Sequence, residues 1–361
     1  MSRAMKRRTF LAAALAMPAL ASGGYAGWRS RNNPYYDGPV SANFDGERFF
    51  LDGHTSDAAR MDLLRWRLMG ERPDWPDPEQ APATARDLPP ARVNGAIRAS
   101  YIGHASVLVQ AHGVNLLIDP VWSDRASPVQ WTGPLRVNPP GVDFSALPPI
   151  DAVLVSHNHY DHFDLATLSR LAAAHRPRVL TPLGNDAIMT RADPAIRAEA
   201  FDWGARTQVG PGVFVRFEPA YHWSARNLVD RRMALWCSFV IETPSGNIYH
   251  IADTGFGDGA LFRAAGETYG PFALAIIPIG AYAPRWFMKR HHIDPAEAVE
   301  VMQACRAERA MAHHWGTFRL GDEPFDEPPR LLGDALAKAN IDARRFRAIR
   351  PGQTMEIARA A

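Results

Sequence analysis

From about residue 96 onward, apolar residues occur in short runs separated by turn residues, a pattern typical of β-strands. Two helical patterns are interleaved with these runs. One begins at Asp164, and the other begins at Asp294, where Pro295 and Glu297 complete a capping-box arrangement. Strands with helices inserted at intervals predict an α/β domain with mixed sheets. The predicted strands are residues 99–102, 107–110, 115–118, 152–155, 178–180, 213–217, 235–241, 247–251 and 274–279.

Residues 22–94 lack this alternation, apart from a short helical pattern around residues 58–69. Prolines at positions 73, 76, 78, 82, 89 and 90 crowd the second half of the segment. Because proline lacks a backbone N–H and fixes φ, such a segment is typical of an extended arm that lies over a domain. We therefore expect an arm at 22–94 and one domain at 95–361.

The first 21 residues have the features of an export signal. Arg7 and Arg8 precede Phe10, and an apolar run extends from Leu11 to Ala21. The run is too short to span a bilayer easily and suits the apolar region of a signal peptide. The arginine pair resembles a twin-arginine signal, which predicts an exported, periplasmic or membrane-associated protein. An ordinary secretory signal and an uncleaved anchor are the alternatives.

Composition narrows the functional classes. The 361 residues include 40 Lys and Arg against 38 Asp and Glu, a net charge of +2. This near balance argues against a protein that binds nucleic acid. The two cysteines, Cys237 and Cys305, are too few for a thiolate zinc site. Any metal must therefore be bound by histidine and carboxylate side chains.

A cluster of such side chains follows the predicted strand at 152–155. Three imidazoles and a carboxylate occur within six residues there, and this donor set suits Zn²⁺, with Mn²⁺ and Fe²⁺ as alternatives. One loop cannot complete the coordination of two ions, so further ligands must come from the ends of other predicted strands. The candidates are His157, His159, Asp161 and His162 in the loop, and His222, Asp253 and His314 elsewhere.

This order of ligands resembles that of the metallo-β-lactamase-fold hydrolases. More narrowly, the chain is similar to the N-acylphosphatidylethanolamine-hydrolysing phospholipase D family. The resemblance extends over about residues 95–320 and includes the segments 102–106, 119–122, 125–128, 156–164, 279–288 and 292–295. It implies a four-layer αβ/βα sandwich of two mixed β-sheets flanked by helices, with two zinc ions at one edge of the sheets.

The resemblance also implies a role for each candidate. His157, His159 and His222 hold the first ion, Asp161, His162 and His314 hold the second, and Asp253 bridges them together with a hydroxide. Asp161 additionally orients that hydroxide. The family pattern does not use His104 as a ligand, so we expect it to support the site. His292 has two interpretations, a proton donor or phosphate contact, and packing at a helix start.

The implied reaction is hydrolysis of N-acylphosphatidylethanolamine, or a related phospholipid, to phosphatidate and N-acylethanolamine. The predicted substrate-binding residues are Tyr282, Arg285 and Trp286, with Trp286 also suited to peripheral membrane contact. Packing into the core or into a dimer interface is the alternative role for this segment, and the resemblance implies a homodimer. Two other functions remain open at this point, namely hydrolysis of a soluble lactone, amide or phosphodiester and a purely structural zinc site.

Overall fold

The computed structural model describes residues 33–54, 60–70, 73–78, 80 and 86–358. Within those ranges the chain forms fourteen strands, and the predicted signal at 1–21 lies outside them. In chain order the strands are β1 (Ile97–Gly103), β2 (Ser106–Ala111), β3 (Val114–Ile118), β4 (Ala152–Leu154), β5 (Arg178–Pro182), β6 (Arg197–Phe201), β7 (Arg206–Gly210), β8 (Val213–Glu218), β9 (Ser238–Glu242), β10 (Asn247–His250), β11 (Phe272–Pro278), β12 (Ala310–His313), β13 (Phe346–Arg347) and β14 (Thr354–Ile357).

The strands assemble into two seven-stranded sheets. The first has the order β14-β1-β2-β3-β4-β5-β6 and the second β13-β12-β11-β10-β9-β8-β7. Strands β3 to β6 are parallel to one another, as are β10 to β13, whereas the remaining neighbours in each sheet are antiparallel. Both sheets are therefore mixed, as predicted.

Seven helices flank the two sheets in the described part of the chain. The core between the sheets includes Tyr101, Phe217 and Met311. A second apolar cluster lies between helices and the outer face of the second sheet. A third lies between helices and the outer face of the first sheet. This confirms the four-layer αβ/βα sandwich. The helices are α1 (Arg60–Met69), α2 (Leu165–Ala174), α3 (Asn185–Ala192), α4 (Ala260–Thr268), α5 (Arg285–Met288), α6 (Pro295–Ala304) and α7 (Glu327–Lys338).

Both predicted helix starts are present. The Asp164 side chain accepts hydrogen bonds from two backbone N–H groups of α2. Asp294 and Glu297 form the predicted capping box at the start of α6. These contacts satisfy backbone donors that have no partner within the helix, which fixes where each helix begins. Each cap follows closely on a histidine-bearing loop, so it also limits how far that loop can move.

The described residues of the arm pack against the sandwich. Phe44 and Phe49 are fully buried with Trp236 in an apolar cluster of their own. The Asn33 side chain donates a hydrogen bond to the Met233 carbonyl at 2.6 Å. Further along, the Trp66 indole donates to an Asp322 carboxylate oxygen at 2.8 Å. Across the described part of the chain, no helix combines the length and the apolar character that crossing a bilayer requires.

Candidate metal centre

Loops from both sheets meet at one edge of the sandwich, and they bring the predicted ligands together. The loop after β4 carries four of them, whereas single residues follow β8, β10 and β12. Parallel strands end at the same edge of a sheet, which explains why distant segments converge there. Two sets of side chains have ligand atoms within 4.8 Å of one another: His157, His159, His222 and Asp253, and His104, Asp161, His162 and His314.

Asp253 lies between the two sets. Its Oδ2 atom is 3.2 Å from His162 Nε2, 3.7 Å from His222 Nε2 and 3.9 Å from His157 Nε2. Its Oδ1 atom is 3.1 Å from His314 Nε2. The carboxylate is buried, and it lies within 3.9 Å of imidazole nitrogens from both sets. This is the position that a carboxylate shared between two cations requires.

His104 contacts this centre through Asp161. Its Nε2 atom is 2.8 Å from Asp161 Oδ2, and the same carboxylate oxygen is 3.2 Å from His314 Nε2. Burial and the nearby His314 lower the pKa of His104 to about 3, so the ring is neutral and donates to the carboxylate. The His104 carbonyl also accepts a hydrogen bond from the His314 backbone at 2.7 Å. Both contacts are of the supporting kind expected for His104.

Close backbone packing places His314. This residue has φ of 61°, in the left-handed region that is uncommon for residues other than glycine. Gly280 lies against it, and a Cβ atom at Gly280 would lie 2.1 Å from the His314 carbonyl oxygen. The absence of a side chain at position 280 therefore allows the close approach that sets the backbone of His314.

Asp119 is a buried residue of the centre to which the sequence interpretation gave no role. It follows β3, and its carboxylate accepts hydrogen bonds from the Ser156 backbone at 2.7 Å and the Ser156 hydroxyl at 2.6 Å. His162 Nδ1 lies 2.8 Å from the same carboxylate. This contact turns His162 Nε2 toward Asp253. The available sequence signal was an Asp-Pro pair directly after a predicted strand.

Arg226 is a second residue near the centre to which the sequence interpretation gave no role. Its Nη1 atom donates to the Asn158 carbonyl at 3.1 Å and to the Phe163 carbonyl at 2.8 Å. Its guanidinium lies 3.7 Å from the ring centroid of Tyr160. The side chain thereby holds both ends of the histidine-rich loop. Arg226 occurs in a polar stretch of sequence with no recognisable motif, so nothing in the sequence pointed to this contact.

His292 reaches the same centre. Its Nδ1 atom is 3.9 Å from Asp253 Oδ2. Its ring centroid is 5.3 Å from that of His222 and 5.6 Å from that of His314. Asp253, His292 and His314 also have ligand atoms within 4.8 Å of one another. The ring therefore faces the centre, and its role as a phosphate contact or proton donor stays a prediction.

The predicted substrate-binding residues lie around α5, and two of them contact protein groups. The Tyr282 hydroxyl donates to Glu327 at 2.6 Å. Arg285 donates to the His292 carbonyl at 2.8 Å and to Glu297 at 2.6 Å. Trp286 is 52% exposed. These contacts give Arg285 an observable role in fixing the backbone of His292, whereas substrate binding by the three residues stays a prediction.

The pKa values of the side chains in the centre depend on their burial and on the charges of their neighbours. Burial lowers the pKa of His159 to about 3 and holds that of His157 well below its usual range. Burial alone would raise the pKa of Asp253, but His314 and His162 outweigh it and hold that pKa well below its usual range. Burial opposes the protonation of His314, yet Asp253 and Asp161 raise its pKa to about 9.

This donor set fits divalent metal ions. Zinc and related ions bind imidazole nitrogens and ionised carboxylates, and a bound cation would displace the proton that raises the charge of His314. His159 Nε2 is buried and has no hydrogen-bond partner among the described residues. Buried polar atoms of this kind require a partner, and a cation would provide one. The geometry therefore supports a metal centre and leaves the identity of the metal open.

Comparison with known proteins agrees with this geometry. The model of the beta-lactamase superfamily domain matches residues 114–315, more than half of the chain. The chain belongs to that superfamily. It is 40% identical over 255 residues to N-acyl-phosphatidylethanolamine-hydrolyzing phospholipase D 1 of Caenorhabditis elegans, covering 68% of this chain and 70% of the relative. The predicted family resemblance is thus confirmed, and the protein is a metal-dependent hydrolase.

Two further comparisons support the assignment. The chain is 34% identical over 239 residues to the mitochondrial N-acyl-phosphatidylethanolamine-hydrolyzing phospholipase D of Saccharomyces cerevisiae, covering 64% of this chain and 50% of the relative. The solved structure of a metallo hydrolase from the archaeon Ignicoccus hospitalis aligns with a TM-score of 0.55 at 20% identity, covering 72% of this chain and 98% of the other. The latter likeness shows the fold alone.

Proposed function

We propose that this beta-lactamase superfamily protein is a di-zinc phosphodiesterase. Its substrate would be N-acylphosphatidylethanolamine or a related phospholipid, cleaved to phosphatidate and an N-acylethanolamine. The observation that carries the proposal is the buried Asp253 carboxylate, which lies within 3.9 Å of imidazole nitrogens from both sets of side chains. The likeness to the worm and yeast phospholipases supports the choice of substrate.

The proposed ligands follow the two sets of side chains in the structure. Asp253 would contribute to both ions. Two zinc ions bound there would lower the pKa of a water toward neutrality and offset the negative charge that develops on the phosphoryl group. His157, His159 and His222 would hold one ion, and Asp161, His162 and His314 the other.

The supporting residues have separate tasks in this proposal. His104 donates to Asp161 and keeps that carboxylate from rotating, so that it can orient the attacking water. Asp119 accepts from His162 and fixes its ring. His292 would meet the phosphate through a hydrogen bond to a phosphoryl oxygen, and the leaving alkoxide would take a proton from water or from this side chain. Arg285 would position His292 through its carbonyl.

The proposed location also suits a lipid substrate. Residues 1–21 would direct export, which would bring the enzyme to a membrane surface outside the cytoplasm. Sequencing the N-terminus of the mature protein tests this part separately. A mature chain that begins after Ala21 is the expected result, and one that begins at Met1 would contradict the proposed export with cleavage.

The reaction is tested with the purified full chain and N-acylphosphatidylethanolamine in mixed micelles. Mass spectrometry of the products and measurement of bound zinc accompany each assay. We expect two equivalents of zinc and stoichiometric phosphatidate and N-acylethanolamine. The variant Asp253→Asn should lose both zinc and activity, whereas Asp342→Asn, at an exposed carboxylate that pairs with Arg344, should retain both. A zinc-loaded protein that leaves the lipid intact and hydrolyses a soluble ester or lactone would overturn the proposal.

A further inference from the structure

Helix α1 exposes its apolar side chains to an unusual degree. Met61 is 69% exposed, Leu64 49% and Leu68 71%. At about 100° per residue, positions 61, 64 and 68 lie within one narrow arc of a helix. We call these three side chains the α1 face. In a helix that packs on a soluble protein, an apolar stripe of this kind faces the core.

The attachment of α1 to the domain shows that the α1 face is directed outward. The helix is held by Trp66, whose ring stacks on that of Phe287 at 5.2 Å and whose indole donates to Asp322 at 2.8 Å. Position 66 lies nearly opposite the arc of positions 61, 64 and 68 on the helical wheel. The side of the helix that carries Trp66 is therefore docked on the domain, and the apolar stripe is directed away from the sandwich.

Two more apolar side chains and several cations adjoin the α1 face. Met69 is 73% exposed and Trp286 52% exposed. The Arg65 guanidinium lies 4.8 Å from the ring centroid of Trp286, which joins α1 to α5. Among the described side chains of α1 and the two residues after α5, the cations are Arg65, Arg67, Lys289 and Arg290, and the one acidic residue is Asp62.

We propose that the α1 face and Trp286 dock on an anionic lipid surface. Apolar side chains flanked by Arg and Lys are the chemistry that recognises acyl chains below a layer of negative head groups. A second copy of this chain is a poorer occupant, because a two-fold interface would bring the same cations into opposition. Charge thus favours a membrane over self-association at this surface.

The surface is directly connected to the metal centre. The His292 backbone N–H donates to the carbonyl of Met288, the last residue of α5, at 3.0 Å. Docking through α5 would therefore bring His292, and the metal centre that it faces, close to the lipid head groups. This inference deepens the proposed function and rests on it only for the identity of the bound substrate, since the docking itself requires no hydrolysis.

The test is vesicle sedimentation with the full-length, zinc-loaded protein. Vesicles of phosphatidylcholine alone are compared with vesicles that also contain phosphatidylglycerol, and neither lipid is the proposed substrate. We expect binding to the anionic vesicles and a fall of about tenfold or more in affinity for the double variant Leu64→Glu/Leu68→Glu. Val40→Glu, which alters another side chain that is 70% exposed, should bind as the wild type does.

Two further measurements separate the outcomes. Hydrolysis of a short-chain, water-soluble substrate analogue should be equal in the wild type and the double variant, since the α1 face touches no predicted ligand. Equal vesicle binding by the wild type and the double variant would overturn the docking proposal, as would a dimer that the double variant converts to a monomer with unchanged vesicle binding. Vesicle binding without hydrolysis of N-acylphosphatidylethanolamine would contradict the proposed function alone.

Discussion

The Arg226 guanidinium and the Phe163 carbonyl are joined by a hydrogen bond of 2.8 Å at the rim of the metal centre. The same side chain also donates to the Asn158 carbonyl, so one arginine spans the loop that carries four predicted ligands. On its other side, Asp230 accepts from the Arg226 backbone and from the Tyr35 hydroxyl of the arm. The arm and the metal-binding loop are thus linked through a short polar chain.

Replacing Arg226 with methionine tests that link. Methionine keeps an apolar stem over Tyr160 but leaves both loop carbonyls without their donor, which costs about 1–3 kcal/mol for each buried group. We expect zinc affinity to fall about 10- to 100-fold, the range typical of residues that orient ligands. Competition with a chelating dye measures the affinity.

The matched control for Arg226→Met is Arg178→Met. Arg178 pairs with Glu199 near the edge of the first sheet, where both side chains are partly exposed, and such pairs contribute about 0–1 kcal/mol. Zinc affinity should be unchanged in this control. If both variants bind zinc as the wild type does, Arg226 has no part in placing the loop.

The carboxylate of Asp119 gives a second prediction. Asp119→Asn removes the negative charge beside His162 Nδ1 and weakens the orientation of that ring. We expect a loss of about 10- to 100-fold in zinc affinity or in kcat. Asp151→Asn, at a carboxylate that pairs with Arg92 before β4, serves as the control. Identical zinc titrations for the two variants would argue that His162 needs no such partner.

The close contact at Gly280 predicts a steric effect. In Gly280→Ala the added methyl would meet the His314 carbonyl, so we expect a loss of about 1–3 kcal/mol in the free energy of unfolding and weaker zinc binding. Gly333→Ala lies in α7 with no atom within 4 Å of the added Cβ, and better helix propensity should stabilise it by up to about 1 kcal/mol. Urea denaturation compares the two. Equal destabilisation would contradict the steric explanation.

The packing of the arm can be measured through Phe49. The ring is fully buried and lies 4.7 Å from that of Phe44, so Phe49→Ala should reduce the free energy of unfolding by about 3–5 kcal/mol. Val40→Ala, at a side chain that is 70% exposed, should have little effect. An unchanged denaturation midpoint for Phe49→Ala would show that the arm unfolds separately from the sandwich.

The sequence predicted the strands that carry continuous apolar runs, whereas it missed β6, β7, β12, β13 and β14. Strands β6 and β7 lie at sheet edges and alternate with polar residues, and β13 spans two residues, so each depends on a paired neighbour rather than on its own pattern. Predicted strand 235–241 begins three residues later, at Ser238. Leu235 and Trp236 before it lie outside any strand and pack against Phe44 and Phe49 of the arm instead.

The site residues also divide into those that the sequence predicted and those that it missed. The cluster from His157 to His162 is local, so its chemistry can be read from adjacent residues. The supporting roles of Asp119 and Arg226 depend on which strands are neighbours and on where a distant loop returns. Such contacts join residues 43 and 63 positions apart along the chain. Composition and spacing carry no information about them, and their roles emerge only from the assembled sandwich.

Strand β14 has a consequence for how the molecule is made. It pairs with β1 at the margin of the first sheet, where Ile97 faces Ile357. A nascent polypeptide therefore leaves the ribosome with this margin open until residues 354–357, far along the chain from β1, have been synthesised, and such long-range pairing slows folding. A truncation before Thr354 would leave β1 as an uncovered template for intermolecular strand addition, so shortened forms should accumulate as aggregates.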